Sequence, residues 1–91
     1  MGQGQGLYVE IDVDAYLGRR LRRRRRSLGL SQQALAQAIG ARFQQIHKYE
    51  TGENRISAAR LWALANALGV SPDYFFEGLR EAAGRVPAPT D

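Results

Sequence analysis

The segment "GARFQQIHKYETG", residues 40–52, holds the side chains best placed to do chemistry. It reads as one short helix between two glycines. Its outward positions carry Gln44, Gln45, His47 and Lys48, with Phe43 beside them. An ordinary solvated helix would show Glu, Lys and Ala there. Amides and an ammonium group donate and accept hydrogen bonds, so the chemistry on offer is recognition. Catalysis has no support in the rest of the sequence. There is no nucleophile–His–carboxylate set and no glycine-rich phosphate loop leading into a helix, and the carboxylates are scattered. His47 is the only histidine and cysteine is absent. Neither a metal site nor a disulfide framework is expected, and no cofactor. The lack of cysteine suits a reducing cytoplasm.

Charge narrows the class of partner. Thirteen basic side chains face nine acidic ones, for a net charge of +4 and a pI of 10.1. All the basic residues but Lys48 are arginine. A planar guanidinium donates two hydrogen bonds at once to a phosphate, so a polyanion is the favoured partner. The longest apolar runs fall far short of the roughly 18 residues of a membrane span.

The elements that must position these residues are short and helical. The 91 residues suffice for one small domain with a modest core. Residues 1–11 read as a leader or arm, 12–79 as the domain and 80–91 as a tail. Within "LYVEIDVD", Leu7, Val9, Ile11 and Val13 alternate with polar residues, which is compatible with a short strand or an ordered arm. Helix 1 is expected from about 14 to 27, capped by Asp12 or Asp14, with Leu17, Leu21 and Leu28 on one face. Ser31 caps a second helix, "QQALAQAI", which turns its Leu35, Ala36 and Ile39 inward and ends at Gly40. The third runs from about Arg42 to Thr51 and closes at Gly52, its Ile46 and Tyr49 pointing in. Ser57 caps the fourth, whose core face is Leu61, Leu64, Ala65 and Leu68. Ser71 and Pro72 open a fifth, about 72–77. The fold class is all-α, five compact helices.

The spacing between the second and third helices has a mechanical meaning. Helices crossing near a right angle need a tiny residue at the contact, which Ala36 supplies. The sharp turn between them needs a positive φ, which Gly40 tolerates. Ile46 and Tyr49 then anchor the third helix and leave its other side free, as in a helix-turn-helix.

With these residues in place, "GLSQQALAQAIG…IHKYETGENRIS…LANALGVSPDYFF" resembles the phage-repressor and Cro type of helix-turn-helix domain, the XRE family. The likeness covers about two thirds of the chain. It implies a five-helix, lambda-repressor-like domain that binds double-stranded DNA, commonly as a two-fold dimer that represses transcription. Helix 3 would be the recognition helix, lying in the major groove. If Ile46 marks the buried direction, Gln44 and Lys48 lie about 160° away on either side, and Gln45 and His47 about 100°. Gln can pair with adenine N6 and N7, and Lys with guanine O6 and N7. The resemblance places base contacts on Phe43, Gln44, Gln45 and Lys48. It places phosphate contacts on Gln32, at the start of helix 2. Arg42, His47, Asn54, Arg55 and the helix start at Ser57 are further phosphate candidates. It also implies an ion pair between Arg25 and Glu50.

Several of these residues have plainer readings. Phe43 can pack on Ile39 as well as press on a thymine methyl. The run "RRLRRRRR", 19–26, reads mostly as a solvated face, with one or two arginines near phosphate. Trp62 suits packing or a dimer contact. Tyr74, Phe75 and Phe76 exceed what one short helix can bury, so one closes the core and the others form a homodimer seam, or some stay exposed. Three rival uses keep the fold. These are a DNA-binding antitoxin or controller that also holds a partner protein, a protein-interaction module, and an RNA binder. The amide face argues against the second, and the lack of a stacking platform against the third.

Overall fold

A computed structural model describes residues 11–82. They form α1 (Val13–Ser27), α2 (Gln32–Ile39), α3 (Phe43–Thr51), α4 (Ala58–Leu68), a 3₁₀ helix η1 (Pro72–Phe76) and a final turn α5 (Leu79–Ala82). The all-α class is as expected, and no strand occurs among the described residues. The first half of the alternating segment 7–14, residues 7–10, lies outside them. The segment's last two residues, Val13 and Asp14, are helical, because Asp12 caps α1 by accepting from the Ala15 N–H at 3.1 Å. No helix among the described residues is long and apolar enough to cross a membrane.

The helix ends follow from local chemistry. The hydroxyls of Ser31 and Ser57 accept from the N–H of Ala34 and Arg60, at 2.9 and 3.1 Å. Each satisfies one of the donors orphaned at a helix start. Gly40 closes α2 at φ 70° and ψ 32°, the left-handed geometry that turns the chain into α3. Arg42 stands at the N-cap of α3 with no side-chain cap hydrogen bond.

Every main helix contributes to one core. Leu21, Leu35, Ile46, Leu64, Leu68 and Phe75 are its largest fully buried side chains. Leu28, expected on the inner face of α1, is instead exposed. The helix has already ended there, and Gly29 turns the chain so that Leu30 packs on the core in its place. The fifth helix is a 3₁₀ turn rather than an α-helix, and α5 follows it past residue 79.

Helix α1 lies directly on the backbone of α3. A Cβ on Gly18 would stand 2.3 Å from the Tyr49 carbonyl oxygen and 2.7 Å from that of Glu50. A Cβ on Gly52 would come within 2.7 Å of the Ala15 Cα. Two glycines thus let the helices touch and hold α3 by its inner side. Neither contact is legible from hydrophobic periodicity, since glycine contributes nothing to it.

Candidate nucleic-acid interface

Helix α3 is sharply two-sided. Ile46, Tyr49 and Glu50 are buried. Gln44, His47 and Lys48 are exposed, Gln45 is half-buried, and Phe43 keeps 48% of its surface in solvent. Phe43 is therefore not absorbed by packing on Ile39. The side chains of Gln44, Gln45 and Lys48 have no hydrogen-bond partner among the described residues. Their donors and acceptors are available to a ligand.

The inner side is fixed by one carboxylate. Glu50 Oε2 lies 2.5 Å from Arg25 Nε, and Oε1 accepts from a terminal nitrogen of Arg25 at 3.0 Å. A third donor, the Gln32 amide, reaches Oε1 at 3.0 Å. Arg25 gives its remaining nitrogen to the Leu30 carbonyl at 2.7 Å. The side chains of Arg25 and Glu50 are 11% and 3% exposed, so nearly all their charge is held by these bonds. A buried ion pair so well satisfied fixes geometry more than it adds net stability. Here it ties α1, α2 and α3 together at one point behind the exposed amides.

The residues expected at phosphates fall into two groups. Arg42 is exposed at the start of α3, and Arg55 is 85% exposed, held loosely by Asp14 at 3.4 Å. Both cations are free to move onto a phosphate. The others are partly engaged. Gln32 spends its amide nitrogen on Glu50, with His47 Nδ1 3.5 Å away. That leaves its backbone N–H, in the first turn of α2, as the better phosphate donor. Ser57 caps α4 through its oxygen, which leaves the hydroxyl proton to give. Asn54 is half-buried, and its backbone N–H donates to the Lys48 carbonyl at 3.1 Å.

Two members of the arginine run, Arg20 and Arg24, and the aromatic cluster need correction. Arg20 donates to the Tyr74 carbonyl at 2.9 and 3.0 Å and to Glu77 at 2.8 Å, with its guanidinium 3.9 Å above the Tyr74 ring. Arg24 donates to the Leu68 carbonyl at 3.0 Å. Those carbonyls sit near the carboxyl ends of η1 and α4; that of Leu68 is one of the acceptors orphaned at a helix end, while that of Tyr74 also accepts from the Glu77 N–H at 3.3 Å. Arg25 makes the ion pair that the resemblance implied, Arg20 and Arg24 are further structural clamps, and Arg19, Arg22, Arg23 and Arg26 stay exposed, so most of the run is a solvated face as expected. The spacing of Arg20 and Arg24 around α1, beside Leu17 and Leu21, was the available signal. Phe75 is fully buried and cannot join a dimer seam. Tyr74 is half-buried and its hydroxyl donates to the Arg20 carbonyl at 3.2 Å. Of the three aromatics only Phe76 stays largely exposed, at 44%, while Trp62 on α4 keeps 61%.

Comparisons with known proteins agree with this geometry. A family model described as helix-turn-helix matches residues 21–75. An uncharacterised HTH-type transcriptional regulator of Sinorhizobium fredii is 55% identical over 67 residues, covering 74% of this chain and 47% of its own length. This chain thus spans about half of that curated relative. The solved P22 c2 repressor in complex with a synthetic operator is 37% identical, with a TM-score of 0.63 over 68% of this chain and 94% of that one. The restriction-modification controller protein C.AhdI of Aeromonas hydrophila is 34% identical, with a TM-score of 0.68 over 71% and 97% of the two chains.

Proposed function

We propose, from the premise that this chain belongs to the helix-turn-helix family, that it is a transcriptional regulator which reads double-stranded DNA by sequence. In this reading it acts in the cytoplasm as a homodimer and represses by covering a near-palindromic operator. Helix α3 enters the major groove with Gln44, Gln45 and Lys48 toward base edges and Phe43 toward a thymine methyl. Arg42, Arg55, Asn54, Ser57, His47 and the amino end of α2 at Gln32 bear on the flanking phosphates. The observation that carries the reading is the two-sidedness of α3. Its inner side is locked by Ile46, Tyr49 and the Glu50 ion pair, while its outer amides and ammonium lack partners among the described residues. A rigid helix that displays unpaired hydrogen-bonding groups fits base readout.

Footprinting the DNA upstream of the protein's own gene, at two salt concentrations, tests it. The expected result is a two-fold symmetric site with half-sites about 34 Å apart, one turn of the duplex. Weak, even protection along all DNA that vanishes in salt would show that only the basic surface is at work. A second reading keeps the DNA contact and adds a partner protein, as in an antitoxin or a controller. The likeness to a restriction-modification controller favours the controller form of that reading over the antitoxin form. Co-purification of a protein encoded beside it would establish the second reading.

A further inference from the structure

Three arginines of the α1 run are spent inside the fold. The other four, Arg19, Arg22, Arg23 and Arg26, are exposed and line one shallow, solvent-open groove. They stand at i, i+3, i+4 and i+7, a single stripe about 10 Å long on two turns of helix. Among the described residues no carboxylate pairs with any of them. Only Arg19 has a neighbour of note, the Tyr16 ring at 5.6 Å. Like charges on adjacent turns repel, so the fold itself gains little from the stripe. The helix dipole accounts for Arg26 in the last turn and not for the others.

We propose that this stripe is a second phosphate-binding face, which holds the backbone of duplex DNA beside the segment that α3 reads. The proposal rests on that reading only for where the duplex lies. Its chemistry is independent. The side chains are all arginine, whose fork grips phosphate oxygens in pairs. No aliphatic side chain lines the groove, and a protein partner would want an apolar centre there. A single strand would want aromatic platforms, whereas Tyr16 lies beneath Arg19 and gives its hydroxyl to the Glu77 carbonyl. Set along the duplex axis, a stripe of about 10 Å spans the rise of roughly three phosphates of one strand, about 3.4 Å each. Arg22 follows Gly18 by one turn, about 40° around the helix, and Gly18 rests on the α3 backbone. On the same wheel Arg26, Arg19 and Arg23 lie about 80°, 100° and 140° from Gly18, so the Arg22 edge of the stripe adjoins α3 and the Arg23 edge turns away from it.

The test uses the full chain, fluorescence anisotropy and labelled duplexes of arbitrary sequence, about 12 and about 40 base pairs long, across a salt series. The variant R19Q/R22Q/R23Q/R26Q should unfold thermally like the wild type, since these side chains are exposed. On the long duplex it should bind about tenfold more weakly, and its log–log salt slope should be shallower by about 2–3 for each protomer bound. On the short duplex, which has no flank, the difference should largely disappear. The matching lysine variant should retain the slope, and R22Q/R26Q should lie between. Equal slopes for the glutamine variant and wild type on the long duplex would overturn the proposal. So would an undiminished gap on the short duplex, which would mean contact in front of α3 or a general field. Polyglutamate bound as tightly as duplex, and lost in the same variant, would assign the stripe to an acidic protein surface instead. Failure of α3 to select any sequence would sink the proposed function and leave the stripe's effect on arbitrary DNA standing. A selected site bound equally by variant and wild type, flanked or trimmed, would do the reverse.

Discussion

Glu50 decides how firmly the reading face is held. Removing Arg25 leaves a carboxylate that is 3% exposed with only the Gln32 amide to satisfy it. Arg25→Ala should therefore cost about 3–5 kcal/mol in urea unfolding, while Arg25→Met with Glu50→Leu should recover most of that loss. A double variant as unstable as the single one would mean that the pair itself is strongly net stabilising. The pair was legible in the sequence through the family resemblance. The third partner was not, because the choice of Gln32 between a phosphate and Glu50 is made by side-chain geometry across two helices. On the outer side, Gln44→Ala should weaken the specific site by about 1–3 kcal/mol and hardly change binding to random DNA. Equal losses on both duplexes in a competition assay would remove its reading role.

Helix boundaries were legible because their causes are local. Ser31 and Ser57 cap through their own hydroxyls, and Gly40 supplies the left-handed residue at the α2–α3 turn. Packing between helices was less legible. Nothing local explains a glycine in the middle of α1, where Gly18 costs about 1 kcal/mol of helix propensity relative to alanine. The reason is tertiary, since α1 reaches the α3 carbonyls only where there is no side chain. The spacing of Arg20 and Arg24 beside Leu17 and Leu21 hinted that they turn inward, but their acceptors, at the ends of other helices, were hidden for the same reason. Gly18→Ala sets the two effects against each other. Propensity favours the variant, but a Cβ 2.3 Å from the Tyr49 oxygen must push the helices apart. The expected result is a net loss of about 1–3 kcal/mol in thermal or urea unfolding, with weaker DNA binding as α3 tilts. A more stable variant would show that the α1–α3 approach is soft.

At the scale of the whole molecule the proposed homodimer raises two questions, where its seam lies and how much of its affinity for DNA is electrostatic. Burial of Phe75 reduces the expected seam to Phe76, with Trp62 the other large exposed aromatic. Neither is needed by the core, so Phe76→Ser should weaken self-association in sedimentation without lowering the unfolding midpoint. A variant that dimerises unchanged would move the seam elsewhere, with Trp62 next to be tested. A dimer would also set the number of phosphates engaged. Eight contacts per dimer would give a log–log slope of affinity against salt of about −7. Arg42 is a clean probe of that number, because it stands exposed at the N-cap of α3 and makes no cap hydrogen bond that its loss could break. Arg42→Ala removes one cation per protomer. It should weaken specific and random duplexes alike, and make the slope shallower by about 2 for a dimer or about 1 for a monomer. The size of that change counts protomers on the DNA, and no change at all would remove Arg42 from the phosphate contacts.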